Sequence, residues 1–213
     1  VLISSSAVYP ETNIQPFAEN QLVGRNSIWG DYGTNKIEAE KYLMDKVPNA
    51  YIIRPPYLCG AMNNVYREAF VFQCAMLDRN FYVPDNGEMK MQFFDVGDLA
   101  KFVETVVVKK PENKIFNVGN KDSITVNQWV NTCYKVVGKE AIIKKVDSSS
   151  HYIRNYFPFA NYEYVLDVSR QNELMSNLKL FEESIRESYE WYICNQDKVV
   201  RKEYMRYIDE NIK

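Results

Sequence analysis

Two tyrosine–lysine pairs stand out in this 213-residue chain, because both combine side chains that could carry acid–base chemistry. Tyr32 precedes Lys36 by four positions, and Tyr42 precedes Lys46 by the same spacing. A free phenol has a pKa of about 10 and is a poor base at neutral pH. A nearby cation lowers the pKa of a phenol, so a lysine beside a tyrosine can help it accept a proton. In a chain with 16 tyrosines such a spacing also arises by chance, so context has to separate the two pairs.

Both pairs fall on one predicted helix over about residues 30–46. Residues four positions apart share a helix face, so Tyr32 and Lys36 can point into the same cleft. Tyr32 lies at the helix start, directly after a polar loop, where a side chain can reach a ligand. Tyr42 lies mid-helix on the apolar stripe, which predicts a structural residue, with Lys46 solvated at the helix end. The alternative interpretation of Tyr32 and Lys36 is an ordinary solvated pair.

The surrounding elements predict an α/β fold. The opening "VLIS" is typical of a short buried strand, and "AYIIRPP" predicts a second strand that ends near Arg54 before two prolines. Such strands alternate along the chain with helices, one of which has Thr125 as its expected N-cap and Gly138 near its end. This alternation is typical of layered α/β proteins with a parallel sheet. We also expect a hairpin around the turn formers at residues 85–87.

Composition argues against several classes of protein. The net charge of −2 and the lack of a basic stripe disfavour a nucleic-acid surface. There is no run of 18 apolar residues, so we expect no membrane association. The four cysteines are scattered without a C-x-x-C pair, and His151 is the only histidine, so we expect no zinc or other metal site. Unpaired thiols of this kind are typical of a cytoplasmic protein.

Several segments, in their order along the chain, resemble the extended short-chain dehydrogenase/reductases, the NAD-dependent epimerase/dehydratase family. These segments are the serine run "SSSAVYP" (4–10), Tyr32 with Lys36, "RPPYLCG" (54–60), "FFDVGDLA" (93–100), "IFNVGN" (115–120) and "LDVSRQNELM" (166–175). The resemblance implies the C-terminal part of a Rossmann-type doubly wound parallel sheet plus a smaller α/β substrate domain. It implies that residues 1–58 are the remainder of the Rossmann domain and carry the catalytic residues. Residues 59–213 would then form mainly the substrate-binding domain, with about 93–120 returning to the Rossmann layer.

The resemblance also assigns candidate site residues. It makes Ser5, Tyr32 and Lys36 the catalytic set: the serine holds the substrate oxygen, the tyrosine moves the proton, and the lysine supplies charge and binds the nicotinamide ribose. The expected cofactor-binding residues, for NAD or NADP, are Tyr32, Lys36, Pro55, Pro56 and Tyr57. The expected substrate-binding residues are Ser6, Tyr57, Asn64, Lys90 and Gln92. The alternative for the serines is local, because hydroxyls often satisfy backbone groups where a strand ends.

Two features depart from the family pattern. The Gly-rich dinucleotide fingerprint is absent from a chain with only eight glycines. We therefore expect this chain to be a C-terminal portion of a longer protein and to be inactive alone. Members that act on nucleotide sugars usually have an arginine where this chain has Met91, with Lys90 beside it. Since arginine is the better phosphate ligand, this disfavours a UDP- or dTDP-sugar, unless Lys90 or Arg154 compensates.

The resulting functional hypothesis is an NAD(P)-dependent epimerase, dehydratase or reductase. It would act on a hydroxyl or keto group of a small molecule, most naturally a sugar or nucleotide sugar, by Tyr-assisted hydride transfer. The alternative is a non-catalytic NAD(P)-binding sensor, or an RNA-associated protein of the same fold. The resemblance is also compatible with a homodimer, and the sequence does not separate NAD from NADP.

Overall fold

The protein divides into two compact α/β units, which a computed structural model describes for residues 1–12 and 14–212. The first unit comprises Val1–Leu58, Gln92–Ser123 and Tyr164–Lys179, and the second comprises Cys59–Met91, Ile124–Glu163 and Leu180–Lys213. The mixed α/β class predicted from the sequence is confirmed, with parallel strands in both units.

The secondary structure of the described residues consists of short strands and longer helices. The strands are β1 (Leu2–Ile3), β2 (Ile52–Arg54), β3 (Tyr57–Cys59), β4 (Phe81–Pro84), β5 (Lys90–Met91), β6 (Phe93–Asp95), β7 (Ile115–Asn117), β8 (Ile124–Thr125) and β9 (Ile143–Val146). The helices are α1 (Asp31–Lys46), α2 (Glu68–Met76), α3 (Val96–Lys109), α4 (Val126–Val137), α5 (Ser169–Leu174), α6 (Phe181–Cys194) and α7 (Tyr204–Asn211). Single 3₁₀ turns occur at Ser6–Val8, Ile153–Asn155 and Gln196–Lys198.

A parallel sheet of order β1-β2-β7 is the framework of the first unit. One of its faces packs against α3, whose apolar residues Leu99, Phe102 and Val106 recur at helical spacing. Phe102 meets Phe116 of β7 edge to face, with ring centroids 5.5 Å apart. This core fixes the strands whose carboxyl ends carry the serine run and the "RPP" segment.

Helix α1 matches the predicted helix, but its buried face is not the predicted one. It begins at Asp31 after Gly30, which has a positive φ of 49°, and it ends at Lys46. Its buried positions are Gly33, Ile37 and Glu40. Tyr42 is 69% exposed, so its assignment to the apolar stripe is wrong.

A buried ion pair joins α1 to the sheet. The guanidinium of Arg54 on β2 donates from Nε to Glu40 at 2.9 Å and from a terminal nitrogen at 2.5 Å. Both side chains are almost fully buried. Arg54 also donates to the hydroxyl of Tyr9 at 2.9 Å, and Tyr9 donates to Asn117 of β7 at 2.8 Å. The hydroxyl of Ser4 donates to the Glu40 carboxylate as well.

The second unit is built around three helices, α2, α4 and α6, which pack on one another. Trp129 of α4 is fully buried, and the rings of Phe81, Phe157 and Phe159 meet it edge to face. Helix α4 begins and ends as predicted. Thr125 forms a capping box with Gln128, and Gly138 ends the helix in the left-handed conformation.

The predicted hairpin around residues 85–87 is wrong. Strand β4, before the turn, pairs in parallel with β9, and β5, after the turn, pairs antiparallel with β8. The turn itself has positive φ at Asp85 and Gly87. Asn127 fastens it to the start of α4: its N–H donates to the Gly87 carbonyl at 3.0 Å and its amide to the Asn86 carbonyl at 2.9 Å. These bonds direct the chain toward β8 instead of back along β4.

In residues 1–12 and 14–212, no helix is long and apolar enough to cross a membrane. The same residues contain no group of three or more His, Cys, Asp or Glu side chains that could hold a metal ion.

The ion pair of the first unit leads to a stability prediction. We expect Glu40→Gln to lower the free energy of unfolding by about 3–5 kcal/mol, because the buried Arg54 charge loses its partner. Urea denaturation of both proteins measures this difference. The matched control is Asp45→Asn on the same helix, whose exposed pair with Lys46 should contribute about 0.5 kcal/mol or less. Equal midpoints for Glu40→Gln and the parent would show that the pair is not needed.

A buried carboxylate in the second unit makes stability depend on pH. Glu68 is fully buried; one oxygen accepts from the Asn63 amide at 2.9 Å, and the other has no hydrogen-bond partner among the described residues. Burial raises the pKa of Glu68, although the Arg67 charge opposes this. Because its pKa is raised, Glu68 binds a proton more tightly in the folded state than in the unfolded state, so protonation stabilises the folded protein. This contribution to stability is complete below the ordinary carboxyl pKa of 4.5 and is lost as pH rises through the folded pKa.

We therefore expect Glu68→Gln to stabilise the protein at neutral pH by about 1–3 kcal/mol, with the gain vanishing in mild acid. Thermal denaturation across that pH range measures the effect. Glu182→Gln is the matched control, because the hydrogen bond from Lys135 lowers the pKa of the half-buried Glu182, so the pH dependence of this variant should have the opposite sign. A parallel pH response of the two variants would contradict the prediction.

Candidate active site

The serine run leaves the end of β1 as a tight turn, here called the serine turn (residues 4–9). Backbone bonds hold it beside the end of β2: the N–H of Ser4 donates to Ile53 at 2.7 Å and that of Ser6 to Pro55 at 2.9 Å. Ser5 caps the 3₁₀ turn, since its Oγ accepts from the N–H of Ala7 at 3.2 Å. Its hydroxyl hydrogen remains available for donation to a ligand.

The three serines differ in their surroundings. The hydroxyl of Ser4 is buried and donates to Glu40. Ser6 is also buried, whereas Ser5 is half-buried. Ser5 thus combines partial exposure with an available donor. Its bond to Ala7 is the local capping role that was the alternative interpretation, and the two roles are compatible.

The two tyrosine–lysine pairs have the same internal geometry but different surroundings. The lysine nitrogen lies 5.9 Å from the tyrosine ring centroid in both pairs. Lys36 also donates to the carbonyl of Ile3, at the end of β1, at 2.9 Å. Lys46 instead lies on the exposed surface, 2.9 Å from the Asp45 carboxylate. Only the first pair is therefore attached to the strand that carries the serine turn.

A glycine allows α1 to approach the serine turn closely. A Cβ at Gly33, the residue after Tyr32, would lie 2.5 Å from the carbonyl oxygen of Ala7. The same carbonyl accepts from the buried amide of Asn26 at 2.8 Å. Asn26 also accepts from the N–H of Trp29 at 2.7 Å, just before the helix. These contacts bring the start of α1, with Tyr32, next to the turn that Ser5 caps.

An aromatic cluster lies beside Tyr32 and was not anticipated from the sequence. The ring of Trp29 is 6.3 Å from both Tyr32 and Tyr57, and Tyr57 is 5.9 Å from Phe93. Tyr32 is 51% exposed, whereas Tyr57 is 8% exposed. The indole nitrogen of Trp29 is buried and has no hydrogen-bond partner among the described residues. Its position three residues before Tyr32 is the sequence signal that could have identified it.

The other predicted residues of the first unit lie at the ends of its strands. Pro55 is buried and its carbonyl holds Ser6, while Pro56 is half-buried. Gln92 is fully buried, and its amide bonds to the backbone of Asn120 and Leu166. These bonds hold Gln92 in the interior of the first unit, and its assignment to substrate binding stays a prediction.

The remaining candidates lie in the second unit. Asn64 is exposed, and its carbonyl accepts from the N–H of Val200 at 2.9 Å. Lys90 is exposed, and its N–H donates to Glu163 at 2.9 Å. Met91 is buried.

Comparison with protein-family models identifies one match. Residues 1–119 match the model described as the NAD dependent epimerase/dehydratase family. A comparison with curated proteins found no match.

Solved structures of related fold cover most of this chain. A dTDP-glucose 4,6-dehydratase from Bacillus anthracis, in complex with NAD, has a TM-score of 0.71 and 15% identity over 92% of this chain and 61% of its own. A UDP-N-acetylglucosamine 4-epimerase from Methanobrevibacter ruminantium has a TM-score of 0.71 and 20% identity over 90% of this chain and 62% of its own. A UDP-glucose 4-epimerase from Thermotoga maritima, with UDP-glucose, has a TM-score of 0.70 and 18% identity over 91% of this chain and 63% of its own. The chain therefore spans about three fifths of the length of these structures.

The close approach at Gly33 is testable by a single methyl group. We expect Gly33→Ala to lower the free energy of unfolding by about 1–3 kcal/mol, because the added Cβ pushes α1 away from the serine turn. This would occur even though alanine is the better helix former by about 1 kcal/mol. Gly24→Ala is the control, since a Cβ there meets Pro10 at an ordinary 3.7 Å. Chemical denaturation compares the two, and a stabilised Gly33→Ala variant would contradict the contact.

Proposed function

This chain belongs to the NAD-dependent epimerase/dehydratase family, and on that premise we propose that the whole protein is an NAD(P)-dependent enzyme. Its proposed reaction is epimerisation, dehydration or reduction at a hydroxyl or keto group of a sugar-type substrate. The catalytic residues would be Ser5, Tyr32 and Lys36. The observation that supports this most directly is the attachment of the Tyr32 helix to the serine turn through Gly33.

The side chains present suit the nicotinamide end of a dinucleotide. Lys36 has three N–H donors, and the bond to Ile3 uses one, so donors remain for ribose hydroxyls. Tyr32 has no hydrogen-bond partner for its hydroxyl among the described residues and is half exposed. The segment Pro55–Tyr57 would lie along the nicotinamide. When bound, NAD or NADP supplies a carbon that accepts or returns a hydride.

The chain's own residues would handle the proton and orient the substrate. Ser5 would donate to the reacting oxygen and hold it in place. Tyr32 would take the proton of a substrate hydroxyl, or return it to a keto oxygen in the reverse direction. The ammonium of Lys36, held against β1 and near the Tyr32 ring, would place a positive charge beside the tyrosine that moves the proton.

The substrate is proposed from the neighbours and the site together. The related structures include complexes with UDP-glucose and with UDP-N-acetylmuramic acid, which supports a nucleotide-sugar or sugar substrate. We assign Ser6 and Tyr57 to the substrate side of the first unit, and Asn64 and Lys90 to substrate binding by the second unit. The first unit would thus carry the cofactor and the catalytic residues, and the second would mainly bind substrate. A homodimer and a cytoplasmic location stay predictions.

The decisive test is Tyr32→Phe in the whole protein. We expect the reduction of bound NAD or NADP by a panel of free sugars, sugar phosphates and nucleotide sugars to slow by about 10²–10⁴-fold, because the proton acceptor is lost. Cofactor affinity, measured by calorimetry, should change much less. Absorbance of the reduced nicotinamide follows the reaction.

The second tyrosine–lysine pair provides the matched control. Tyr42→Phe changes a phenol with the same lysine geometry on the same helix, and it should leave the rate unchanged. Equal effects of the two variants would remove Tyr32 from the mechanism. Cofactor binding without turnover of any substrate in the parent protein would instead favour a sensor.

A further inference from the structure

A polar cavity in the second unit lies outside the proposed catalytic residues. It has a volume of about 300 Å³ and is lined by the 3₁₀ turn Ile153–Asn155 and by one side of α7 with the residues just before it. This volume is at the lower end of the range for small-molecule sites. Of the residues named from the sequence, Arg154, a candidate to compensate for the missing phosphate-binding arginine, is the one that lines it.

Cations from two separate segments line the cavity. Arg154 comes from the 3₁₀ turn, whereas Lys202 and Arg206 come from the start of α7 and the residues before it. Two carboxylates, Glu203 and Glu210, also line it, so positive charge is in excess. A concave surface with an excess of one charge concentrates ions of the opposite sign.

The cations are only partly used by the protein. Arg154 donates to the carbonyl of Pro158, which fixes its guanidinium but uses part of its five N–H donors. Arg206 lies 3.6 Å from Glu203, and both side chains are largely exposed, so this pair is weak. Lys202 makes no ion pair within the described part of the chain. These groups retain capacity to bind an anion.

An aromatic side chain of fixed orientation completes the cavity. The hydroxyl of Tyr207 lies 3.2 Å from Nδ1 of His151, and the two rings meet edge to face with centroids 6.1 Å apart. Tyr204, the first residue of α7, is buried and stacks on Tyr66 with ring centroids 5.8 Å apart. Helix α7 is therefore anchored on the second unit, and the Tyr207 ring offers an apolar surface to the organic part of a ligand.

We propose that this cavity binds a small phosphorylated molecule of the size of a pentose phosphate. Two guanidinium groups and an ammonium suit a dianionic phosphate, because arginine binds phosphate oxygens with paired donors and lysine adds a point charge. The remaining volume and the Tyr207 ring would accommodate the sugar. This inference does not depend on the proposed reaction, because it involves neither Tyr32 nor the cofactor.

The test is calorimetric titration of the whole protein with ribose 5-phosphate, in the presence of saturating NAD so that the cofactor site is filled. We expect binding of ribose 5-phosphate and none of ribose. Arg154→Gln and Arg206→Gln should each weaken binding by roughly 10-fold or more, the loss of one charge-assisted contact. Arg186→Gln, which removes an exposed arginine paired with Glu182 on α6, should leave it unchanged.

Folding is checked separately, because Arg154 also holds the Pro158 carbonyl. Circular dichroism melting of each variant shows whether it folds. If Arg154→Gln does not fold, Arg206→Gln still tests the proposal, because Arg206 lies on the exposed side of α7. Absence of ribose 5-phosphate binding to the parent would overturn the proposal. Binding that Arg206→Gln leaves intact, or that Arg186→Gln weakens equally, would also overturn it.

Discussion

The buried pair of Arg54 and Glu40 is the interaction on which the architecture of the first unit depends. Two charges in a core carry a desolvation cost, which is offset only when the geometry is good and the remaining donors and acceptors are filled. Here the carboxylate also receives the hydroxyl of Ser4, and the guanidinium also reaches Tyr9. Burial is the largest single influence and would lower the pKa of Arg54, but the contacts with Glu40 and Tyr9 together outweigh it, so the pKa is raised. The arginine therefore stays charged.

This pair selects one arrangement of helix and sheet. Burial raises the pKa of Tyr9 despite the nearby Arg54, so its hydroxyl stays protonated and continues to donate to Asn117. The chain of contacts runs from Glu40 on α1 through β2 to β7, and a helix slipped by one residue would leave charges unpaired. Lys36, one turn before Glu40, is thereby held at the end of β1. The position of Lys36, which lies near the Tyr32 ring, therefore depends on a network of buried side chains.

The sequence predicted elements whose signals are local and missed those that depend on distant partners. The limits of α1 and the capping box at Thr125 follow from neighbouring residues, and both agree with the structure.

Tyr42 was misassigned because α1 buries a glycine and a glutamate, which hydrophobic periodicity does not reveal. The hairpin failed because the turn bonds to Asn127, far along the chain. The order of segments suggested Ser5, Tyr32 and Lys36, and their catalytic roles stay predictions, whereas the contacts of Asn26 with Ala7 and Trp29 become visible only in the fold. Since helical spacing gives both tyrosine–lysine pairs one geometry, only their surroundings distinguish them.

The way the loop between the serine turn and α1 is fastened has an evolutionary consequence. Glu19 is tied to Asn117 at 3.0 Å, and the N–H of Gly24 is tied to Val8 at 2.9 Å, so residues 20–23 form a short arc with fixed ends. Leu22 at its tip is 87% exposed. Doubling the length of such an arc costs only about 0.6 kcal/mol in closure entropy. This arc is thus a permissive place for insertions, where added residues can form new surface contacts while Ser5 and Tyr32 keep their places in the fold.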